Sequence, residues 1–274
     1  MIVWLNGAVV PDPVAGAISP LDHGLTTGDG VFETLKIVDG QPFAVTRHLE
    51  RLVTSATGLG LPEPDVAQVE DAIAVVMKAD PGIAFGRLRI TYTGGVSPLS
   101  SDRGTTGPTL LVASQAIQPP APTSAIVTVP WLRNERSAVA GLKTTSYAEN
   151  VRALAYAKER GGTEAIFANT IGNLCEGTGT NIFCVFDGEL VTPPLSSGAL
   201  AGVTRALVLA WYGATERDLP LTALADADEI FLTSTTRDVQ AIHRVDDREL
   251  PAPGEVTAAV AKIFADRATE DPNP

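Results

Sequence analysis

Cysteine is nearly absent from this 274-residue chain: Cys175 and Cys184 only, each inside an apolar, strand-like stretch. That scarcity excludes a disulfide-stapled scaffold and reads as two buried thiols in a reducing compartment. Positive charge is short as well. Twenty Lys and Arg stand against 32 Asp and Glu, for a net charge of −12, and no basic run occurs. A surface that acidic repels phosphate backbones and anionic lipid, so nucleic acid and membrane are excluded as partners. Any anion the chain binds must be held by a few local groups against the global field. No apolar run reaches the roughly 18 residues a membrane span needs. The opening MIVWLNG has neither the basic nor the apolar region of an export signal, so a cytoplasmic setting is expected. What is present is ordinary for a folded chain: 45 % apolar and 19 % charged residues, which excludes wholesale disorder.

The length allows one large domain or two modest ones, each with its own core. Ile2–Leu5 and Ala8–Val10 flank Asn6-Gly7, and Val31–Val38 alternates up to Asp39-Gly40; both read as hairpins. Thr46 is expected to cap a helix whose apolar face is Leu49, Leu52, Val53 and Ala56, with His48 and Arg51 together on a different face. A second helix is expected over Pro64–Lys78, then strands at Arg87–Thr93 and Thr109–Ser114. Residues 115–124, with Pro119, Pro120 and Pro122, break all periodicity and read as a linker between domains 1–114 and 125–274. Beyond it the pattern predicts strands at Ala125–Val129, Glu164–Ala168, Ile182–Phe186, Glu229–Thr233 and Ala241–Val245. Helices are predicted at Tyr147–Arg160, Val203–Tyr212 and Gly254–Asp266, and the tail from Thr269 is expected to fray. Antiparallel hairpins mixed with helices give an α+β class. Gly28-Asp-Gly30 and Gly177-Thr-Gly179 imitate a dinucleotide fingerprint, but neither reaches the third glycine, and the first precedes a strand where a helix is required.

Four segments stand out: Arg47–Leu52 (RHLERL), Gly141–Ala153 (GLKTTSYAENVRA), Asn173–Phe183 (NLCEGTGTNIF), and the pair Leu200–Arg205 (LAGVTR) with Phe231–Thr236 (FLTSTT). Singly, each has a plain explanation, since a lone lysine or helix arginine is usually a solvated charge. Together with DHGLTTGDGVFETLK at Asp22–Lys36, in order and in family-like spacing, they resemble the class IV aminotransferases. These are the fold type IV enzymes of pyridoxal 5'-phosphate. The resemblance implies a smaller N-terminal α/β domain, a larger C-terminal pseudo-barrel domain, and a homodimer whose substrate pockets draw on both subunits.

It also implies roles for single residues. Lys143 bonds the cofactor aldehyde as a Schiff base and then shuttles the substrate's α-proton. Glu176 keeps the pyridine nitrogen protonated. The phosphate is held by Arg51, by the helix start at Gly202, Val203 and Thr204, and by Ser234 and Thr235. Leu200 packs on the ring, and Asn181 lies in the loop behind the glutamate. Phe32, Thr34 and Lys36 share the strand that lines the substrate side, and Tyr147 matches a pocket tyrosine of some members.

The implied reaction is transfer of an amino group from a D-amino acid or (R)-amine to a 2-oxo acid. Two alternatives stay open: a lyase that releases pyruvate from aminodeoxychorismate to give 4-aminobenzoate, and a branched-chain L-amino-acid aminotransferase. A catalytically silent relative would have lost the lysine or the glutamate, and both are here. No metal is expected. One feature departs from the family: Bacillus-type D-amino-acid transaminases carry a carboxylate-clamping arginine and histidine where this chain reads TGGVSPLSSDRG. Gly94 and Gly95 stand at that arginine's place and are expected to leave room for bulky groups. Arg103, Arg133 and Arg136 are the candidates for the substrate carboxylate, with His23 another, reaching in from the neighbouring subunit of the dimer that the resemblance implies.

Overall fold

The computed structural model describes residues 1–14 and 18–274, which divide into two compact units. One comprises Met1–Pro119, Leu142–Ser146 and Pro272–Pro274; the other comprises Pro120–Gly141 and Tyr147–Asp271. Among the described residues no helix is long and apolar enough to cross a membrane.

The first unit is a six-stranded antiparallel sheet: β1 (Ile2–Leu5), β2 (Ala8–Val9), β3 (Gly30–Val38), β4 (Gln41–Pro42), β5 (Phe85–Thr93) and β6 (Thr109–Ala116), in the order β2-β1-β6-β5-β3-β4. The hairpin turns behave as expected: Asn6 and Gly7 take φ of 43° and 107°, and Asp39 and Gly40 take 47° and 77°. Strand alternation sends Val31, Leu35 and Ile37 of β3, with Leu88, Ile90 and Val112, to one face. That face packs on Leu49, Leu52 and Ala56 of α2 (Val45–Gly58) and on Val69, Ile73 and Val76 of α3 (Val66–Ala79); a four-residue turn of helix, α1, spans His23–Thr26.

Three readings change here. Helix α2 starts one residue before Thr46, after Ala44 in a left-handed conformation with φ 56°, so Thr46 is not its cap. The tail does the capping instead: Ala44 N donates to Pro272 O (2.7 Å) and Thr46 N to Asn273 Oδ1 (2.9 Å), so the chain end does not fray. His48, placed by helical period away from the apolar stripe, lies on the buried side of α2 with Leu49, Leu52, Ser55 and Ala56, because a polar partner waits for it there.

The segment Leu142–Ser146 extends the first unit's sheet along the outer edge of β3. Phe32 N donates to Lys143 O (3.0 Å) and Thr145 N to Gly30 O (2.8 Å). Gly28 and Gly30 permit this approach: a Cβ on Gly28 would lie 2.7 Å from Ser146 Oγ, and one on Gly30 would lie 3.1 Å from Thr145 Oγ1. The glycine pair that imitates a nucleotide loop is therefore packing clearance.

The second unit holds a nine-stranded mixed sheet: β7 (Thr123–Arg133), β8 (Glu164–Asn169), β9 (Leu174–Gly177), β10 (Asn181–Phe186), β11 (Glu189–Thr192), β12 (Thr215–Glu216), β13 (Glu229–Ser234), β14 (Asp238–Val245) and β15 (Arg248–Glu249). The order is β12-β11-β10-β13-β14-β7-β8-β9, with β15 on β14. Strands β6 and β7 take both ends of the stretch read as linker, leaving residues 117–122 irregular. Three helices accompany the sheet: α4 (Ala148–Glu159), α5 (Val203–Trp211) and α6 (Glu255–Glu270). Stacked Phe183 and Phe231, centroids 4.8 Å apart, lie in the fully buried interior with Phe167 and Ile166.

Candidate active site

In the first unit the chemistry gathers around the Lys143 edge segment. Lys143 N donates to Ser55 Oγ (3.1 Å), so the lysine is anchored to β3 through its carbonyl and to α2 through its amide. Its Nζ lies 4.3 Å from the centroid of the Phe32 ring. The same ring carries a second cation: the Arg89 guanidinium carbon is 3.8 Å from the centroid. Register explains this, since Arg89 faces Thr34 across the β3/β5 ladder and is thus diagonal to Phe32 on one face. Lys36, two residues beyond Thr34 on that face, is buried with its Nζ 4.9 Å from the Phe43 centroid.

On the opposite face of β3, alternation carries a carboxylate into the core. Glu33 is fully buried, and Arg51 grips it with a fork, Nε to Oε1 and Nη2 to Oε2 both at 2.7 Å. His48 Nδ1 lies 2.7 Å from Oε2. Burial pushes the Glu33 carboxyl up, but the charge and hydrogen bonds of Arg51, joined by His48, overcome it and hold the group at about 2. Burial likewise pushes the His48 ring below its ordinary value, against the pull of Glu33.

Two residues expected at the substrate carboxylate, His23 and Arg103, both meet Asp29. The buried His23 places Nδ1 3.3 Å from Asp29 Oδ2 and Nε2 2.9 Å from Ser100 O. Arg103 forks onto Asp29 with two 2.7 Å bonds and donates to the carbonyls of Leu59 (2.9 Å) and Gly60. The Arg103 hydrogen bond lowers the Asp29 carboxyl, and Asp29 in turn raises the guanidinium. Gly94 and Gly95 open no space: a Cβ on Gly94 would lie 2.4 Å from Asp29 Oδ2, and one on Gly95 would lie 1.9 Å from Gly107 O. Their bareness admits the Asp29 cluster and a loop crossing rather than a bulky substrate.

In the second unit, Glu176 sits on β9 with Oε2 accepting from Leu200 N (2.8 Å) and Oε1 3.4 Å from Arg133 Nε. Arg133 also donates through Nη1 to Glu149 Oε2 (2.8 Å) and Asn150 Oδ1 (3.0 Å), with its guanidinium carbon 4.3 Å from the Phe167 centroid. Arg133 is thus hydrogen-bonded to Glu149 and Asn150 and meets Glu176 through charge alone, its Nε making no hydrogen bond. Arg136 is 84 % exposed, and Tyr147 is the residue before α4. Asn181 Nδ2 donates to Leu200 O (2.9 Å), so Leu200 is tied by its amide to Glu176 and by its carbonyl to Asn181. Two residues on, Gly202 opens α5 without a capping side chain, and a Cβ there would lie 1.9 Å from Asn181 Oδ1. The amides of Val203 and Thr204 follow directly. Pairing of Asn181 with Thr233 brings Ser234 and Thr235 to the same end of the sheet. An uncapped helix start with adjacent hydroxyls suits an anion, as the cofactor's phosphate requires.

The amine, the arginine fork, the fixed carboxylate and the uncapped helix start are the groups that a fold type IV pyridoxal-phosphate enzyme needs. Residues 30–245 match the amino-transferase class IV family, and the chain belongs to it. The bifunctional aminodeoxychorismate lyase / D-amino acid transaminase of Mycobacterium tuberculosis is 29 % identical over 97 % of this chain and 96 % of that one. The D-alanine aminotransferase of Staphylococcus haemolyticus is 27 % identical over 90 % of each. The branched-chain aminotransferase of Thermoproteus uzoniensis superposes with a TM-score of 0.90 at 28 % identity, over 97 % of this chain and 93 % of that one.

Sequence reading missed Glu33, Ser55 and Arg89. Alternation in β3 flags Glu33 as a charge among core positions. Arg89 had no such signal, because only the β3/β5 register brings it to Phe32.

Proposed function

We propose that the chain is a transaminase that takes the amino group from a D-amino acid and passes it to a 2-oxo acid. The observation that carries this reading is the pair of cations on one ring: Lys143 Nζ and the Arg89 guanidinium both lie against Phe32. A reacting amine and a carboxylate receptor on one aromatic platform suit a substrate that carries an amino group and a carboxylate close together. Arg89 thereby takes the role for which His23, Arg103, Arg133 and Arg136 were candidates. The D configuration rests on the activities of the Mycobacterium and Staphylococcus relatives.

The cofactor, when bound, supplies the sink for the electrons released at the substrate α-carbon. Lys143 Nζ takes the α-proton and returns it, guided by the anchors at Ser55 and Phe32. Glu176, with one oxygen held by Leu200 N and the other paired in charge with Arg133, would hold the proton on the pyridine nitrogen. The phosphate would be held by the amides of Val203 and Thr204 and the hydroxyls of Thr204, Ser234 and Thr235, and Arg51 would supply the cation for it. Cleavage of aminodeoxychorismate is the second reading, favoured by the double activity of the Mycobacterium relative. The test is a half-reaction screen of D-alanine, D-glutamate, L-leucine, (R)-1-phenylethylamine and aminodeoxychorismate, read as loss of the lysine-bonded cofactor's visible band. D-amino acids reacting fastest supports the proposal. L-leucine reacting fastest makes the enzyme a branched-chain aminotransferase, and pyruvate release without amino transfer makes it a lyase.

A further inference from the structure

Glu33 is an odd residue for its place. It stands between Val31 and Leu35 on the packed face of β3, fully buried, where an apolar side chain would continue the row. Burying a carboxylate there costs desolvation that even a good ion pair barely offsets, and apolar replacements of such pairs are often neutral or stabilising. Stability is therefore a weak reason for it. Geometry gives a better one. Both Glu33 oxygens are committed to the Nε–Nη2 edge of Arg51, and His48 Nδ1 closes on Oε2 from the same helix, one turn earlier. A guanidinium is a rigid plane, so fixing one edge fixes the direction of the opposite edge, which carries Nη1.

We infer that Glu33 and His48 are positioning residues that hold the Arg51 guanidinium in the orientation in which it receives the cofactor phosphate, an inference that rests on the phosphate role given to Arg51 above. His48 acts in its neutral form with Nδ1 protonated and donating to the carboxylate. The clamp removes the rotamer freedom that a loose arginine would lose on meeting an anion. It also cancels one positive charge, so the arginine contributes direction more than attraction.

Those two contributions have opposite signs on loss of the carboxylate, which makes the test decisive. Pyridoxal phosphate, and separately inorganic phosphate, is titrated into the full-length, cofactor-depleted protein, with melting temperature recorded beside each affinity. Arg51→Gln should weaken both ligands. Glu33→Gln puts an amide against the donors of Arg51 and His48, and should weaken both by roughly tenfold or more. His48→Asn keeps an N–H near the Nδ1 position and should retain affinity; His48→Leu should lose it. The Arg51 Nε–H resonance, followed by NMR, should be sharp in wild type and broadened in Glu33→Gln. Unchanged affinity in Glu33→Gln and His48→Leu, with only the melting point lowered, overturns the inference, as does tighter binding in Glu33→Gln. If Glu33→Gln fails to fold, the His48 pair carries the same test. If Arg51→Gln binds as wild type does, or wild type takes up no cofactor, the underlying phosphate reading falls and the inference with it.

Discussion

Replacing Arg89 by glutamine removes the second cation from the Phe32 platform while leaving Lys143, its anchors and the β3/β5 ladder in place. The Arg89 residue is exposed at its strand position, where its Nε donates to Thr91 Oγ1 at 3.3 Å and its guanidinium lies on the Phe32 ring, and glutamine keeps most of its stem. A charge-assisted hydrogen bond to a substrate carboxylate is worth about 1.5–3 kcal/mol, which corresponds to a loss of roughly ten- to 150-fold in kcat/KM. The lower end is expected, because solvent reaches this guanidinium and screens it. The loss should appear only with donors that carry a carboxylate. D-alanine and D-glutamate should slow, whereas (R)-1-phenylethylamine should hold its rate or gain, since its apolar group no longer strands a charge. Stopped-flow half-reactions on wild type and variant, with cofactor saturating, measure both. Equal losses on amino acid and amine would refute the carboxylate role, and so would no loss on either.

Lys143→Ala should abolish turnover and the visible band of the lysine-bonded cofactor even when cofactor is added, as absorbance and activity assays would show. Glu176→Gln should still bind cofactor but slow the half-reaction by about tenfold or more, in line with loss of one charge-assisted hydrogen bond. The Glu33 carboxyl, held at about 2 against an ordinary 4.5, contributes stability that is complete above about pH 4.5 and is lost as pH falls toward 2. Melting curves from pH 6 to pH 2 should show that acid limb in wild type and a shallower one in Glu33→Gln. Leu21, Leu25 and Leu99 are 43 %, 69 % and 79 % exposed, and would be covered if the chain forms the homodimer expected from the resemblance. Leu25→Asp with Leu99→Asp should shift sedimentation from dimer to monomer; a wild-type monomer that keeps full activity on dilution would overturn the dimer.

Much of this was legible before any coordinates. Period-two alternation in β3 and the i, i+3, i+4 apolar pattern of α2 are local signals, and the hairpin turns follow from Asn-Gly and Asp-Gly chemistry. The segments around Lys143, Glu176 and Gly202 declare themselves because each residue type answers one chemical need of the cofactor. What stayed hidden depends on pairing across long stretches of chain. Arg89 gains meaning only beside Phe32, and His48 turns inward only because Glu33 is there to meet it. The glycines at 94 and 95 read as empty space, yet Asp29 and the Gly107 carbonyl fill it.

The edge segment and the tail also set an order of events during synthesis. Helix α2 bears Arg51, His48 and Ser55, but the groups that accept from Ala44 N and Thr46 N are made some 230 residues later, since Thr46 and Asn273 are 227 positions apart. The outer edge of β3 likewise waits for residues 142–146. A nascent chain of 119 residues therefore holds the strands and helices of the first unit with a bare sheet edge and an uncapped helix. Closing such distant contacts costs little extra stability, because loop entropy grows only with the logarithm of length, but it delays them. The Lys143 segment joins β3 only after the second unit has begun to emerge, and the start of the helix that carries Arg51 waits for residues 272–273.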